Sequence, residues 1–135
     1  MNTKNTRSLP HWHATESLLL RTRRHNVLIE GPVEATGAAL VQMQPHIPEP
    51  IVWKPPQAPL ELPGSKPSAL ILENIAALSA EEQARLLAWL GCHRTHTRVV
   101  STTDRPLFAF VTRGDFDERL YYRLNVVLLQ VGQSR

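Results

Sequence analysis

Two glycines six positions apart, Gly31 and Gly37, bracket the segment Gly31-Pro32-Val33-Glu34-Ala35-Thr36-Gly37-Ala38-Ala39, directly after the apolar run Val27-Leu28-Ile29. A strand that ends in glycine and opens into a helix is where backbone N–H groups and a helix N-terminus can cradle a phosphate, so this is the first candidate for chemistry. Turn geometry alone accounts for the same two glycines, and the residues favour that reading. Cys92-His93-x-x-His96 offers metal-ligating side chains, but this cysteine is the chain's single one and no second pair accompanies it, so no metal site is expected. Arg21, Arg23 and Arg24 could meet a phosphate backbone, yet they fall where the end of a helix would place them against its dipole. Aromatic residues of the kind that stack bases are not interleaved with them, and His11 and His13 flank Trp12 in what reads as a tail.

These residues need a frame, and the apolar pattern supplies one. Thr15 to Arg24 reads as a helix with Leu18, Leu19 and Leu20 inward, Asn26 to Glu30 as a buried strand, and Thr36 to Gln44 as a weakly marked helix. Ile51-Val52-Trp53 reads as a short strand and Leu70-Ile71-Leu72 as a second buried one. Ser79 with Glu82 three residues on forms a capping box, followed by the stripe Leu86, Leu87 and Leu90 up to Gly91. Arg98 to Thr102 is a third clear strand, Asp115 to Arg123 a short helix, and Val126 to Val131 a fourth clear strand. Strands apolar on both faces and separated by helices predict an α/β fold, a three-layer sandwich around a mostly parallel sheet.

With 135 residues and 42% apolar content the chain suffices for one domain with a single core and excludes general disorder. No apolar run approaches the roughly 18–20 residues that span a bilayer, so a cytoplasmic protein without membrane contact is expected. The net charge of +3 hides a basic first 25 residues, an acidic middle and an arginine-rich last third. Eight of the 11 prolines lie between Pro45 and Pro67, which demands an extended loop there.

The segment Phe116-Asp117-Glu118-Arg119-Leu120-Tyr121-Tyr122-Arg123-Leu124-Asn125-Val126-Val127 resembles the F-R-x-D-L-Y-Y-R-L-N-V run of the sigma-54 interaction domain, the AAA+ ATPase core of bacterial enhancer-binding transcription activators. Leu70-Ile71-Leu72-Glu73-Asn74-Ile75 is similar to that family's Walker B block L-F-L-D-E-I, and Arg98 to Arg105 to its sensor I strand V-R-x-I-x-x-T-N. The resemblance covers roughly residues 14–131. It implies a P-loop NTPase fold of the AAA+ type, with residues 1–13 a flexible basic arm, 45–67 a proline-rich loop and 132–135 a tail. The chain ends where the family's helical lid would begin, so a core lacking that lid is expected.

Set against the chemistry that the resemblance implies, the residues depart from it. ATP hydrolysis on such a core needs a lysine on the β- and γ-phosphates, a Ser/Thr and an acid on Mg²⁺, and a group that orients water. Here Gly37 is followed by Ala38, the Gly31-to-Gly37 spacing is one longer than in G-x-x-x-x-G-K, and no lysine occurs between Lys4 and Lys54. Glu73-Asn74 replaces the acidic pair, Asp104 stands where sensor I carries Asn, and Asp117 stands where the family places a trans-acting arginine. Arg123 is retained, and no GAFTGA loop occurs between Pro45 and Pro67. The expectation is a degenerate nucleotide site at Gly31, Thr36, Gly37, Ala38, Glu73, Asn74 and Asp104, no catalytic residue, no metal, and ATP with Mg²⁺ held weakly if at all.

The function expected is that of a non-catalytic, regulatory or interaction module. Its expected partner is an AAA+ transcription activator or a second copy of itself, met through Asp117, Arg119 and Arg123. Two alternatives stay open: a weak ATP-binding or ATPase domain of a sigma-54-dependent regulator, and a small basic nucleic-acid-binding domain, although DNA contact is disfavoured.

Overall fold

A computed structural model describes residues 25–64, 67–92 and 97–132. The expected helix over Thr15 to Arg24, the N-terminal arm and the His93–His96 segment lie outside them. The chain runs β1 (Val27–Glu30), α1 (Val33–Met43), a 3₁₀ turn (Gln44–His46), β2 (Ile51–Lys54), β3 (Ala69–Leu72), a second 3₁₀ turn (Ile75–Ala77), α2 (Ala80–Cys92), β4 (Arg98–Thr103), α3 (Leu107–Arg113), α4 (Glu118–Leu124) and β5 (Val127–Gln130).

The five strands form one sheet in the order β2-β3-β4-β1-β5, and all four pairings are parallel. Alternate residues feed two apolar layers. Val27, Ile29, Ala69, Ile71 and Val100 face α1 with Ala39, Leu40 and Met43, while Leu28, Leu70, Leu72 and Val99 face Leu86, Leu90, Leu107, Leu120 and Leu124 of the other helices. The three-layer α/β sandwich is therefore the observed architecture. β3 and β4 are buried along their whole length, which is why β3 and the part of β4 after Arg98 read as unbroken apolar or small-residue runs.

The capping box forms as the spacing demands: Ser79 Oγ accepts from Glu82 N at 3.1 Å, and Glu82 Oε1 accepts from Ser79 N at 2.9 Å. α2 continues through Gly91 to Cys92 rather than stopping before it. Two elements depart from expectation. α1 starts at Val33, three residues ahead of Thr36, because Pro32 with φ −56° sets the chain for a helix immediately after the strand. The helix expected over Asp115 to Arg123 is α4, which starts only at Glu118 after the Asp117 cap, and a further helix, α3, precedes it and ends at Gly114 with φ +85°. The stretch from Pro45 to Pro67 holds a 3₁₀ turn and β2, so the loop is divided, and its longer part follows Lys54, described over 55–64. No described helix is long and apolar enough to cross a membrane.

Candidate functional site: the cleft at the carboxyl ends of β1, β4 and β5

β1 sits between β4 and β5, and its own connection leads away to the far edge at β2, so the sheet changes direction at its carboxyl end. Such a switch point is where open α/β sheets leave a crevice. A cleft of about 560 Å³ opens there, with Glu30, Gly31, Pro32, Glu34, Asp104 and Gln130 among its walls.

The β1–α1 turn is two residues long. Gly31 N donates to Thr103 O at 3.0 Å, and Pro32 has no N–H, so the turn itself offers no free donor to an anion. Gly31 must be glycine, since a Cβ there would lie 2.3 Å from the carbonyl oxygen of Val131. Gly132, at φ +65°, closes the same contact from the other side: a Cβ on it would lie 2.6 Å from the Ala35 Cβ. The exit of β5 is thus laid directly on the first turn of α1. The Glu30 carboxylate accepts from Leu107 N at 3.3 Å and from Gln130 Nε2 at 2.8 Å, tying α3 and β5 to β1. Glu30, Glu34 and Asp104 make the cleft negative, and no basic side chain is among its lining.

Only Gly31 and Asp104 of the expected nucleotide residues share this cleft. Thr36 is buried inside α1 with Oγ1 donating to Val33 O at 3.1 Å, and Gly37 and Ala38 follow it along the helix. Glu73 turns toward the sheet edge, where its Oε2 accepts from Trp53 Nε1 at 2.6 Å. Asn74 adopts a left-handed conformation (φ 59°, ψ 58°), its N–H donating to Thr102 Oγ1 at 2.9 Å. Trp53 and Lys54, at the end of β2, carry polar contacts that sequence alone does not mark. Lys54 is buried at the end of β2 with Nζ donating to Pro55 O at 3.1 Å; burial pulls its pKa down, against the opposing pull of Glu82 and Glu73. A lysine closing a strand of mixed exposure has no signal beyond that position. Among the described residues no group of three or more His, Cys, Asp or Glu is placed to hold a metal.

The second expected set is on α4. Asp117 Oδ1 accepts from Leu120 N at 3.1 Å, and Oδ2 accepts from Arg119 Nη2 at 3.2 Å; the Arg119 hydrogen bond is the main cause that lowers the Asp117 pKa. Arg119 itself is largely exposed. Arg123 donates from Nη2 to Leu90 O at 2.8 Å, answering a carbonyl in the last turn of α2, and its own carbonyl accepts from Asn26 Nδ2. Two of these three residues therefore hold helix ends, while the Arg119 guanidinium reaches solvent beside Tyr122, which is also exposed.

Residues 35–133 match the sigma-54 interaction domain family. The chain belongs to that family. The family match begins at Ala35, just past the two-residue turn. Among curated relatives, the chain is 35% identical over 78 residues to the HTH-type transcriptional regulatory protein TyrR of Enterobacter agglomerans, covering 50% of this chain and 15% of that protein. It is 38% identical over 73 residues to the transcriptional regulatory protein GlrR of Escherichia coli K12, covering 46% and 16%. Its fold superposes on NtrX from Brucella abortus in complex with ATP with a TM-score of 0.69 and 21% identity, covering 90% of this chain and 35% of that one. The fold seen here is therefore shared with that part of NtrX.

Proposed function

We propose that this chain is a non-catalytic member of the sigma-54 interaction family that serves transcription regulation as a protein-interaction module in the cytoplasm. The observation that carries this reading is the β1–α1 turn. Its glycine amide is engaged by Thr103, its second residue is proline, and the exit of β5 covers the first turn of α1. A triphosphate with Mg²⁺ needs a nest of donors, a cation and an acid on one wall. The cleft offers carboxylates instead, and Glu73 is engaged by Trp53 on the opposite side of β3. The residues present do not fit Mg²⁺-ATP.

The partner in this reading is an AAA+ transcription activator or a second copy of the chain. The exposed Arg119 and Tyr122 on α4, with Phe108 exposed on α3, supply the arginine and aromatic surface that protein interfaces favour. Calorimetric titration with ATP and a non-hydrolysable analogue in Mg²⁺, with light scattering alongside, tests both halves. No heat of binding is expected. Micromolar binding lost in Glu73→Ala would overturn the reading that the site does not fit Mg²⁺-ATP, in favour of a weak nucleotide-binding domain.

A further inference from the structure

The proline-rich segment after β2 does not project from the domain; it lies along α2. Three side chains of that helix, at positions 82, 85 and 89 and hence on one face, hold its backbone. Glu82 Oε2 accepts from Leu60 N at 3.2 Å, Arg85 Nη1 makes a long 3.5 Å contact to Leu60 O, and Trp89 Nε1 donates to Pro63 O at 3.1 Å. The Leu60 side chain is 3% exposed and enters the apolar layer with Leu72, Leu78 and Leu86, while Leu62 packs on the same layer, as do Leu87 and Trp89. The dimensions agree with an extended peptide lying along a helix. Three residues from Leu60 to Pro63 span about 9 Å when extended, and the seven from Glu82 to Trp89 rise about 10 Å.

This is the chemistry of a peptide site: a carboxylate and a guanidinium that read the N–H and C=O of one residue, an indole N–H that reads a proline carbonyl, and an apolar pocket for a leucine between them. All three polar contacts go to the backbone, so they do not depend on which chain supplies it. We propose that the α2 face bearing Glu82, Arg85 and Trp89 is a docking groove for an extended, proline-flanked Leu-x-Leu segment of a partner protein, held in cis by residues 58–63 of this chain. The strap carries the recognised pattern, Pro59-Leu60-Glu61-Leu62-Pro63, so the occupant's chemistry is read from the structure itself. Tethering gives the strap an effective concentration of roughly millimolar, so a partner segment enters only when the strap is displaced. Glu82 also closes the capping box through its other oxygen, which couples occupation of the groove to the start of α2. The proposal is independent of nucleotide binding.

The test is NMR titration of the full chain with the acetylated peptide of residues 57–64, read at the Trp89 indole N–H, in the wild type, in Leu60→Ser and in Leu60→Ser/Trp89→Phe. The peptide is expected to bind Leu60→Ser about tenfold or more tighter than the wild type, with the gain lost in the double variant as read by backbone amides of α2. A folded Leu60→Ser that shows no peptide-dependent shift, or that responds equally to a scrambled peptide, overturns the proposal. Should Leu60→Ser not fold, hydrogen exchange in the wild type decides. A Leu60 amide exchanging about tenfold or more faster than those of Val27 and Val100 supports a strap that opens alone, and exchange at their rate overturns it.

Discussion

Gly31 and Gly37 lie six residues apart in one strand–helix unit, and the packing around them is opposite. At Gly31 a single added carbon would run into the backbone of Val131; at Gly37 nothing lies within 4 Å of the same carbon. The first glycine exists because two chain segments cross there, and the second sits in a helix that tolerates it at a cost. Glycines paired by spacing thus need not be paired by function.

Substitutions break or sharpen this contrast. Gly31→Ala is expected to destabilise the domain by roughly 3 kcal/mol, because neither the Val131 carbonyl nor the strand that bears it can yield cheaply, and denaturant unfolding measures it. Asp117→Ala removes the side-chain cap of α4 and should cost about 1 kcal/mol at neutral pH. The folded-state pKa of Asp117 is depressed, first by Arg119, so its contribution is present above the ordinary carboxylate range and is lost as pH falls through the folded value. The difference between wild type and Asp117→Ala should therefore shrink on acidification below about pH 4. Gly37→Ala reverses the sign of the first substitution, raising stability by about 0.7 kcal/mol in the same denaturation experiment. Trp53→Phe frees Glu73 from its indole partner at the exposed sheet edge and should change stability by less than about 1 kcal/mol.

The parts of the fold that sequence makes legible are those that local pattern dictates. Leu70-Ile71-Leu72 is a strand because both its faces are covered, and Ser79 with Glu82 starts α2 because two orphan donors find two oxygens three residues apart. The start of α1 escapes such reading: Pro32 both ends the turn and opens the helix, so Thr36, Gly37 and Ala38 are drawn into α1 and away from the cleft. α3 is concealed because Leu107, Phe108, Phe110 and Val111 carry no cap or period that separates helix from strand, and only Gly114 marks its end. At the cleft, Gly31 and Asp104 are foreseeable from strand ends, whereas the turn of Glu73 toward Trp53 follows from pairing β2 beside β3, a long-range choice. The strap on α2 depends on contacts more than twenty residues apart, which no local spacing reveals.

The sheet order bears on how this chain is made. β1 lies inside the sheet between β4 and β5, and its residue Val27 pairs with Val100 and Val127. A ribosome adding roughly 5–20 residues per second delivers those partners several seconds or more after β1 emerges. During that interval Val27-Leu28-Ile29 has neither neighbour to pair with, and the pairing of β1 is complete only once β5 has been made. A chain arrested before β5 would leave β1 open along one side, exposed to whatever edge it met first.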